Sequence, residues 1–195
     1  MKLCYLDTET TGLDANVNDI IQIAGIIEID GQIEDKFEFL MRPFDGGRVD
    51  DKALQVNKRT RQEIAAFENP QIQLGMFQSL LARYVHPDIY TDCFLMVGHN
   101  VEFDKNFIQA WFRKAGQGSN YRKFFDYKVV DTYPLIFTLD QVFKFGLKNH
   151  KLETIAQFFG IPIQAHDAMA DITATREVLQ YVIKRLQAGF PNGFI

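Results

Sequence analysis

Three apolar-rich runs follow one another at the N-terminus, Leu3 to Asp7, Asp19 to Asp30 and Lys36 to Arg42, each bounded by Gly, Asn or Asp. Such runs read as strands, and Asp30-Gly31 between the second and third is a hairpin-turn dipeptide. Beyond them the pattern changes. Phe94 to Val97 is a short buried strand leading into Gly98-His99-Asn100, with Asn100 placed to cap a helix. Phe103, Phe107, Ile108 and Trp111 then recur at helical spacing up to Gly116. Lys128 to Thr132 reads as another strand, and Pro134 favours a helix start. Leu152 to Phe159 is a short helix stopped by Gly160-Ile161-Pro162, and a last helix runs from about Ala168 to Leu186. A strand meander giving way to strands alternating with helices specifies an α/β fold, a mixed sheet with helices on both faces.

Between the two halves, Asp50 to Glu68 is polar and charged, with Asn57 and Thr60 as candidate caps, and it is expected to carry little chemistry. Asn69-Pro70 then punctuates the chain before a helix around Leu74 to Tyr84. At 195 residues and 47% apolar content, one domain over residues 1–188 with a short tail over 189–195 is expected, and no internal repeat interrupts it. The N-terminus meets Asp7 too early for a signal peptide, and no apolar run approaches membrane-spanning length, so a cytoplasmic protein with no membrane contact is expected. Cys4 and Cys93 each sit in an apolar run read as a buried strand and belong to no Cys/His cluster, as reduced structural thiols do.

A net charge of −4 argues against a protein that coats duplex DNA through bulk electrostatics. It leaves room for a nucleic-acid enzyme, because a site built of carboxylates is itself acidic and bound divalent cations reverse the local sign. Asp7 and Glu9, two apart at the end of the first strand, point to the same side and form a pair of candidate metal ligands. Alone, such a pair is more often solvated or a helix cap. Thr10-Thr11-Gly12-Leu13 follows directly, two hydroxyls and a glycine that let the backbone approach a ligand. Asp104 falls in the first turn of the helix after Gly98-His99-Asn100, a position that by itself only offsets the helix dipole. His166 and Asp171 do not share a helical face, so they converge only if His166 lies at or before the helix start, with Asp167 as N-cap.

Taken together, Asp7-Thr8-Glu9-Thr10-Thr11-Gly12-Leu13, Gly98-His99-Asn100-x-x-Phe103-Asp104 and His166-x-Ala168-x-x-Asp171 resemble, in order and spacing, the three motifs of the DEDDh exonucleases. This is the DnaQ-like group that includes proofreading subunits of bacterial replicative polymerases. The resemblance extends to Ile20 to Ala24, to Val129 to Thr132, and to Lys151 to Ala156 with Phe159-Gly160-Ile161, and so covers nearly the whole chain. It implies a ribonuclease-H-like fold with a five-stranded mixed sheet, and hydrolysis from a 3′ end to nucleoside monophosphates. Two divalent cations, Mg²⁺ or Mn²⁺, are implied, held by Asp7, Glu9, Asp104 and Asp171, with His166 as the base toward the attacking water.

By the same resemblance Thr10, Thr11 and Leu13 receive the terminal nucleotide, Leu13 as a wedge, and His99, Asn100 and Phe103 line the opposite wall. Turn formation, capping and core packing are the alternative roles of these residues, and Asp131, a helix-cap candidate, stays outside the catalytic set. Lys58, Arg59, Arg61, Arg113, Lys114, Arg122 and Lys123 are candidate phosphate contacts, and Tyr121, Phe124 and Phe125 candidate stacking residues. The Phe- and Lys-rich stretch from Phe124 to Lys151 departs from a compact member of the group and has no assigned role. The expected substrate is a single-stranded or frayed 3′ end of DNA, in proofreading or repair, with a polymerase or a second copy of the chain as candidate partner. RNA trimming is the rival activity, and a non-catalytic binding or interaction module the rival of another class.

Overall fold

The computed structural model describes residues 1–163 and 168–189. β1 (Lys2–Thr10), β2 (Ile20–Ile29) and β3 (Gln32–Leu40) form an antiparallel meander. β4 (Phe94–Gly98) runs parallel to β1 and β5 (Phe125–Asp131) parallel to β4, giving a five-stranded mixed sheet in the order β3-β2-β1-β4-β5. The β2–β3 turn is Asp30-Gly31 as expected, with φ of 50° and 85°, the left-handed pair a two-residue hairpin requires.

Eight α-helices accompany this sheet among the described residues. α1 (Asp51–Val56), α2 (Arg61–Ala65) and α3 (Pro70–Leu81) precede β4, and α4 (Val101–Lys114) and α5 (Tyr121–Phe124) lead to β5. α6 (Thr132–Phe143), α7 (Leu152–Phe158) and α8 (Ala168–Gln187) follow it. Thr60 caps α2 through a capping box with Glu63. Asn57 lies at the C-terminal end of α1 instead of capping a helix start, and its amide donates to the Thr10 carbonyl at 2.9 Å. α3 begins a turn earlier than its apolar spacing indicates, because the Asn69 side chain accepts from the Gln71 and Ile72 amides and Pro70 is preset for the first turn. β5 likewise starts at Phe125, three residues ahead of expectation, and Cys93 is half-buried just before β4 rather than inside a strand.

The alternation of β1 distributes the core. Cys4 and Leu6 face a cluster containing Leu74 and Phe77 of α3 and Phe107, Ile108 and Trp111 of α4. Leu3 and Tyr5 face the other side, against Ile172 and Leu179 of α8. α8 is further tied to β2 by a half-buried ion pair, Arg176 Nε donating to the buried Glu28 carboxylate at 2.6 Å. No helix among the described residues is long and apolar enough to cross a membrane.

One residue joins the C-terminal ends of β4 and β5 to the helices that leave them. The Asp131 carboxylate accepts from the Asn100 amide at 2.8 Å, the Val101 amide at 3.1 Å and the Tyr133 amide at 2.9 Å. It therefore caps α4 as well as α6. Asn100 itself makes no side-chain cap; it holds a left-handed backbone, φ 66°, that turns its own N–H toward Asp131. Asp131→Ala strands two helix N-termini, and a loss of about 2 kcal/mol is expected, since a single cap contributes roughly 0.5–2 kcal/mol. A urea midpoint unchanged from the parent would show that the two caps are redundant.

Candidate active site

Strand parity sets the geometry. Asp7 and Glu9 continue the side of β1 that carries Leu3 and Tyr5, the side covered by α8, where Asp171 sits in the first turn. Thr8 continues the opposite side, toward α4, and there it meets Asp104. Its amide and its hydroxyl both donate to the same Asp104 oxygen, at 2.9 and 2.7 Å. The residue between two candidate ligands thus orients a third, a connection sequence spacing gave no sign of.

The four carboxylates converge electrostatically from three elements. Burial raises the Asp7 carboxyl well above the ordinary carboxylate range, and the charges of Asp104, Glu9 and Asp171 raise it further. Burial also pushes Asp104 up to about 7 despite the two Thr8 donors, with Glu9 adding to the rise. As they stand, no three His, Cys, Asp or Glu side chains among the described residues close into a ready ligand set. Asp104 accepts from Thr8, and the charges of Glu9 and Asp171 reach Asp7. The donor set nevertheless fits a hard divalent cation, which takes carboxylate oxygens and offsets the repulsion that raises these groups. His166 and Asp167 lie outside the described residues.

Beside Glu9 opens a cleft of about 560 Å³ whose lining includes Thr8, Thr10, Leu13, Val56, Asn57 and Phe103. Leu13 is 86% exposed and Val56 53%, so two aliphatic side chains face solvent at its mouth with half-buried Phe103 packed on Phe107 alongside. Exposed apolar groups around one concavity mark a surface that meets a ligand.

Several expected contacts are placed elsewhere. Thr11 is fully buried; its hydroxyl donates to the Arg48 carbonyl and accepts from the Asp19 amide, so it pins the loop and its one donor is already used. Thr10 remains on the cleft, its hydroxyl donating to the Gly12 carbonyl. His99 and Asn100 are not on this cleft. Both His99 ring nitrogens are engaged, Nδ1 with the Thr132 hydroxyl and Nε2 with the His150 carbonyl, each at 2.9 Å. Tyr121, Phe124 and Phe125 are core residues, at 3%, 5% and 0% exposure, and stack on no external base. Among the candidate phosphate contacts, Lys114 is paired with Asp19, Arg61 with Asp51, and Arg122 lies against Tyr90 and Tyr127.

The stretch from Asp50 to Glu68 proves closer to the site than its composition indicates. α1 buries Leu54 and turns Val56 outward to form the far side of the cleft, and an exposed β-branched apolar residue in a polar segment was the available signal. The loop facing it is held by buried Asn18, whose amide reaches the Thr11 and Arg48 carbonyls and Asp50. A Cβ at Gly12 would overlap the Asn18 and Asp50 side chains. Gly12→Ala is expected to destabilise by roughly 1–3 kcal/mol, the cost of overpacking a filled site. Urea unfolding checks it, and an unchanged midpoint would mean that the loop yields freely.

The molecule can be set beside known proteins. Over 182 residues it is 30% identical to the PolC-type DNA polymerase III of Listeria welshimeri, covering 93% of this chain and 11% of that protein. With the PolC-type enzyme of Lacticaseibacillus paracasei it shares 29% identity over 174 residues, 89% of this chain and 11% of the relative. The chain thus spans about a tenth of the length of these curated relatives. In structure it is similar to E. coli exonuclease I in complex with a dT13 oligonucleotide, with a TM-score of 0.78 at 22% identity over 97% of this chain and 42% of that one. A product-bound exonuclease I gives 0.77 at 21%, over 97% of this chain and 45% of that one. At these identities the structures establish the shared α/β fold. The RNase_T exonuclease model matches residues 4–179, a span that contains every described carboxylate of the site, and the chain belongs to this exonuclease family.

Proposed function

We propose that this chain is a metal-dependent 3′-5′ exonuclease that hydrolyses DNA from its 3′ end and releases nucleoside monophosphates, with residues 1–188 acting as one unit. The observation that carries the reading is the convergence of Asp7, Glu9, Asp104 and Asp171 beside a cleft with apolar walls, within a chain of exonuclease family. Asp7, Glu9, Asp104 and Asp171 would hold two divalent cations, Mg²⁺ or Mn²⁺. When bound, such cations neutralise the reacting phosphate and make water a stronger acid. Thr8 holds one Asp104 oxygen through its amide and its hydroxyl, which leaves the other oxygen to meet a cation. Leu13, Val56 and Phe103 grip the terminal nucleotide, and His166 accepts the proton of the attacking water.

Several DNA-linked names support DNA as the substrate: the PolC-type relatives are DNA polymerases and the exonuclease I structures contain oligonucleotides such as dT13. The PolC-type relatives support a role in proofreading or repair beside a polymerase. The test uses purified protein and matched single strands of DNA and RNA, labelled at one end or the other, in Mn²⁺ and in EDTA. Shortening of DNA from the 3′ end, in Mn²⁺ only, is expected. Faster loss of RNA would move the substrate to RNA ends, shortening from the 5′ end would overturn the polarity, and cation-independent binding with no hydrolysis would leave an interaction module.

A further inference from the structure

The Phe- and Lys-rich stretch after β5 lies on the same rim of the sheet as the carboxylates. β1, β4 and β5 are parallel, Tyr5 pairs with Val97 and Gly98 with Asp131, so their C-terminal ends lie side by side. At the usual strand spacing Asp131 is about 10 Å from β1 along that rim. α6 begins there, and its first turn presents Tyr133, with Phe137 one turn on; they are 43% and 45% exposed. Both rings pack edge-on against His150, with centroids 6.2 and 5.2 Å away, which fixes them on one patch.

Charge on this patch opposes that of the whole chain. Between Thr132 and Leu152 the only acid is Asp140, and it is buried, bonded to His150 at 2.8 Å and to the Gly146 amide at 3.0 Å. Lys144, Lys148 and Lys151 in the same stretch are exposed and form no ion pair among the described residues. Exposed rings interleaved with unpaired cations are the chemistry that holds a single strand, rings for the bases and ammonium groups for the phosphates.

We propose that Tyr133 and Phe137, with Lys148 and Lys151, form a track for the single strand upstream of the nucleotide being removed. The proposal rests on the strand-hydrolysing reading of the carboxylate site, and it names how that site gains from longer substrates. At a stacked rise of about 3.4 Å per nucleotide, the rim distance corresponds to roughly three nucleotides.

The experiment compares the full chain with Tyr133→Ala/Phe137→Ala, Tyr133→Phe/Phe137→Tyr and Lys148→Gln/Lys151→Gln. An oligothymidylate of about twelve nucleotides serves as the long strand and a thymidine trinucleotide as the short one. The parent is expected to prefer the long strand in kcat/KM. Loss of two stacking rings should reduce that preference by about tenfold or more, and the aromatic exchange should restore it. Binding of the long strand in EDTA should lose about 0.7 of its log–log salt slope for each lysine that contacts a phosphate. An unchanged preference and salt slope would overturn the track, and so would an equal loss on long and short strands, which marks a structural defect. If the parent cleaves neither strand, the reading of the carboxylate site fails first and the track falls with it.

Discussion

Asp7→Asn is expected to show no cation-dependent hydrolysis even at saturating Mn²⁺, and yet to melt at a higher temperature than the parent when both are in EDTA. The two effects have one cause. Asp7 is the group on which the repulsion converges, its carboxyl raised by burial and by the charges of Asp104, Glu9 and Asp171. An amide of the same shape removes that repulsion and, with it, the negative charge by which Asp7 would help hold divalent cations. The pH dependence has a defined sign. A carboxyl whose folded pKa is raised is protonated in the fold at acid pH, and its destabilising effect is absent below the ordinary value of 3.8 and complete above the folded value. With Asp104 pushed up to about 7, the parent in EDTA should lose stability as pH rises from about 4 through about 7. Asp7→Asn should lose less over the same window. Mg²⁺ should reverse the order of the two proteins, since a ligand bound only to the folded state at a hundredfold over its Kd contributes about 2.7 kcal/mol. Melting curves across pH, with and without Mg²⁺, read all of this; a variant that melts below the parent in EDTA would show that the Asp7 carboxylate is held by favourable contacts, and the electrostatic account of the site would fall.

The parts of this site legible from sequence are those in which local period fixes direction. Asp7 and Glu9 lie on one side because strand period is two, and Asp104 enters with the first turn after β4 because Phe103, Phe107 and Trp111 recur at helical spacing. The meander was likewise legible from its apolar runs and the Asp30-Gly31 turn. What composition hid is long-range pairing of polar groups. Thr11 reads as a substrate hydroxyl, whereas its one donor goes to the Arg48 carbonyl and its oxygen accepts from the Asp19 amide. Both ring nitrogens of His99 are engaged by Thr132 and His150, and the backbone N–H of Asn100 by Asp131. Tyr121, Phe124 and Phe125 read as a basic-aromatic surface because Arg122 and Lys123 are interleaved with them, but α5 is a single turn whose aromatics all point into the core. The reverse holds at α1, which lies in a polar, charged segment and yet lines the cleft with its outward Val56.

A second large effect is expected to distinguish a proton acceptor from carboxylates that would hold cations. His166 precedes α8 in the sequence while Asp171 lies in that helix's first turn, where its charge, with those of Asp104 and Glu9, acts on Asp7. If the imidazole takes the proton from the attacking water, His166→Ala should lower kcat by roughly 10²–10⁴-fold, the usual contribution of general-base catalysis. Cation affinity and the affinity for a 3′-ended oligonucleotide should change little, because both depend on the carboxylates and the cleft. Asp171→Ala should lose cation binding and turnover together, since a missing ligand weakens the charge that holds the phosphate. The pH profile supplies an independent reading. The parent's activity should climb as an imidazole loses its proton, near pH ~6.5 for an unperturbed group, and His166→Ala should lack that step. Calorimetric titration of Mn²⁺ into each variant, beside single-turnover kinetics, decides the matter: if His166→Ala loses cation affinity as completely as Asp171→Ala, then His166 is a ligand, and the proton of the attacking water leaves by another group.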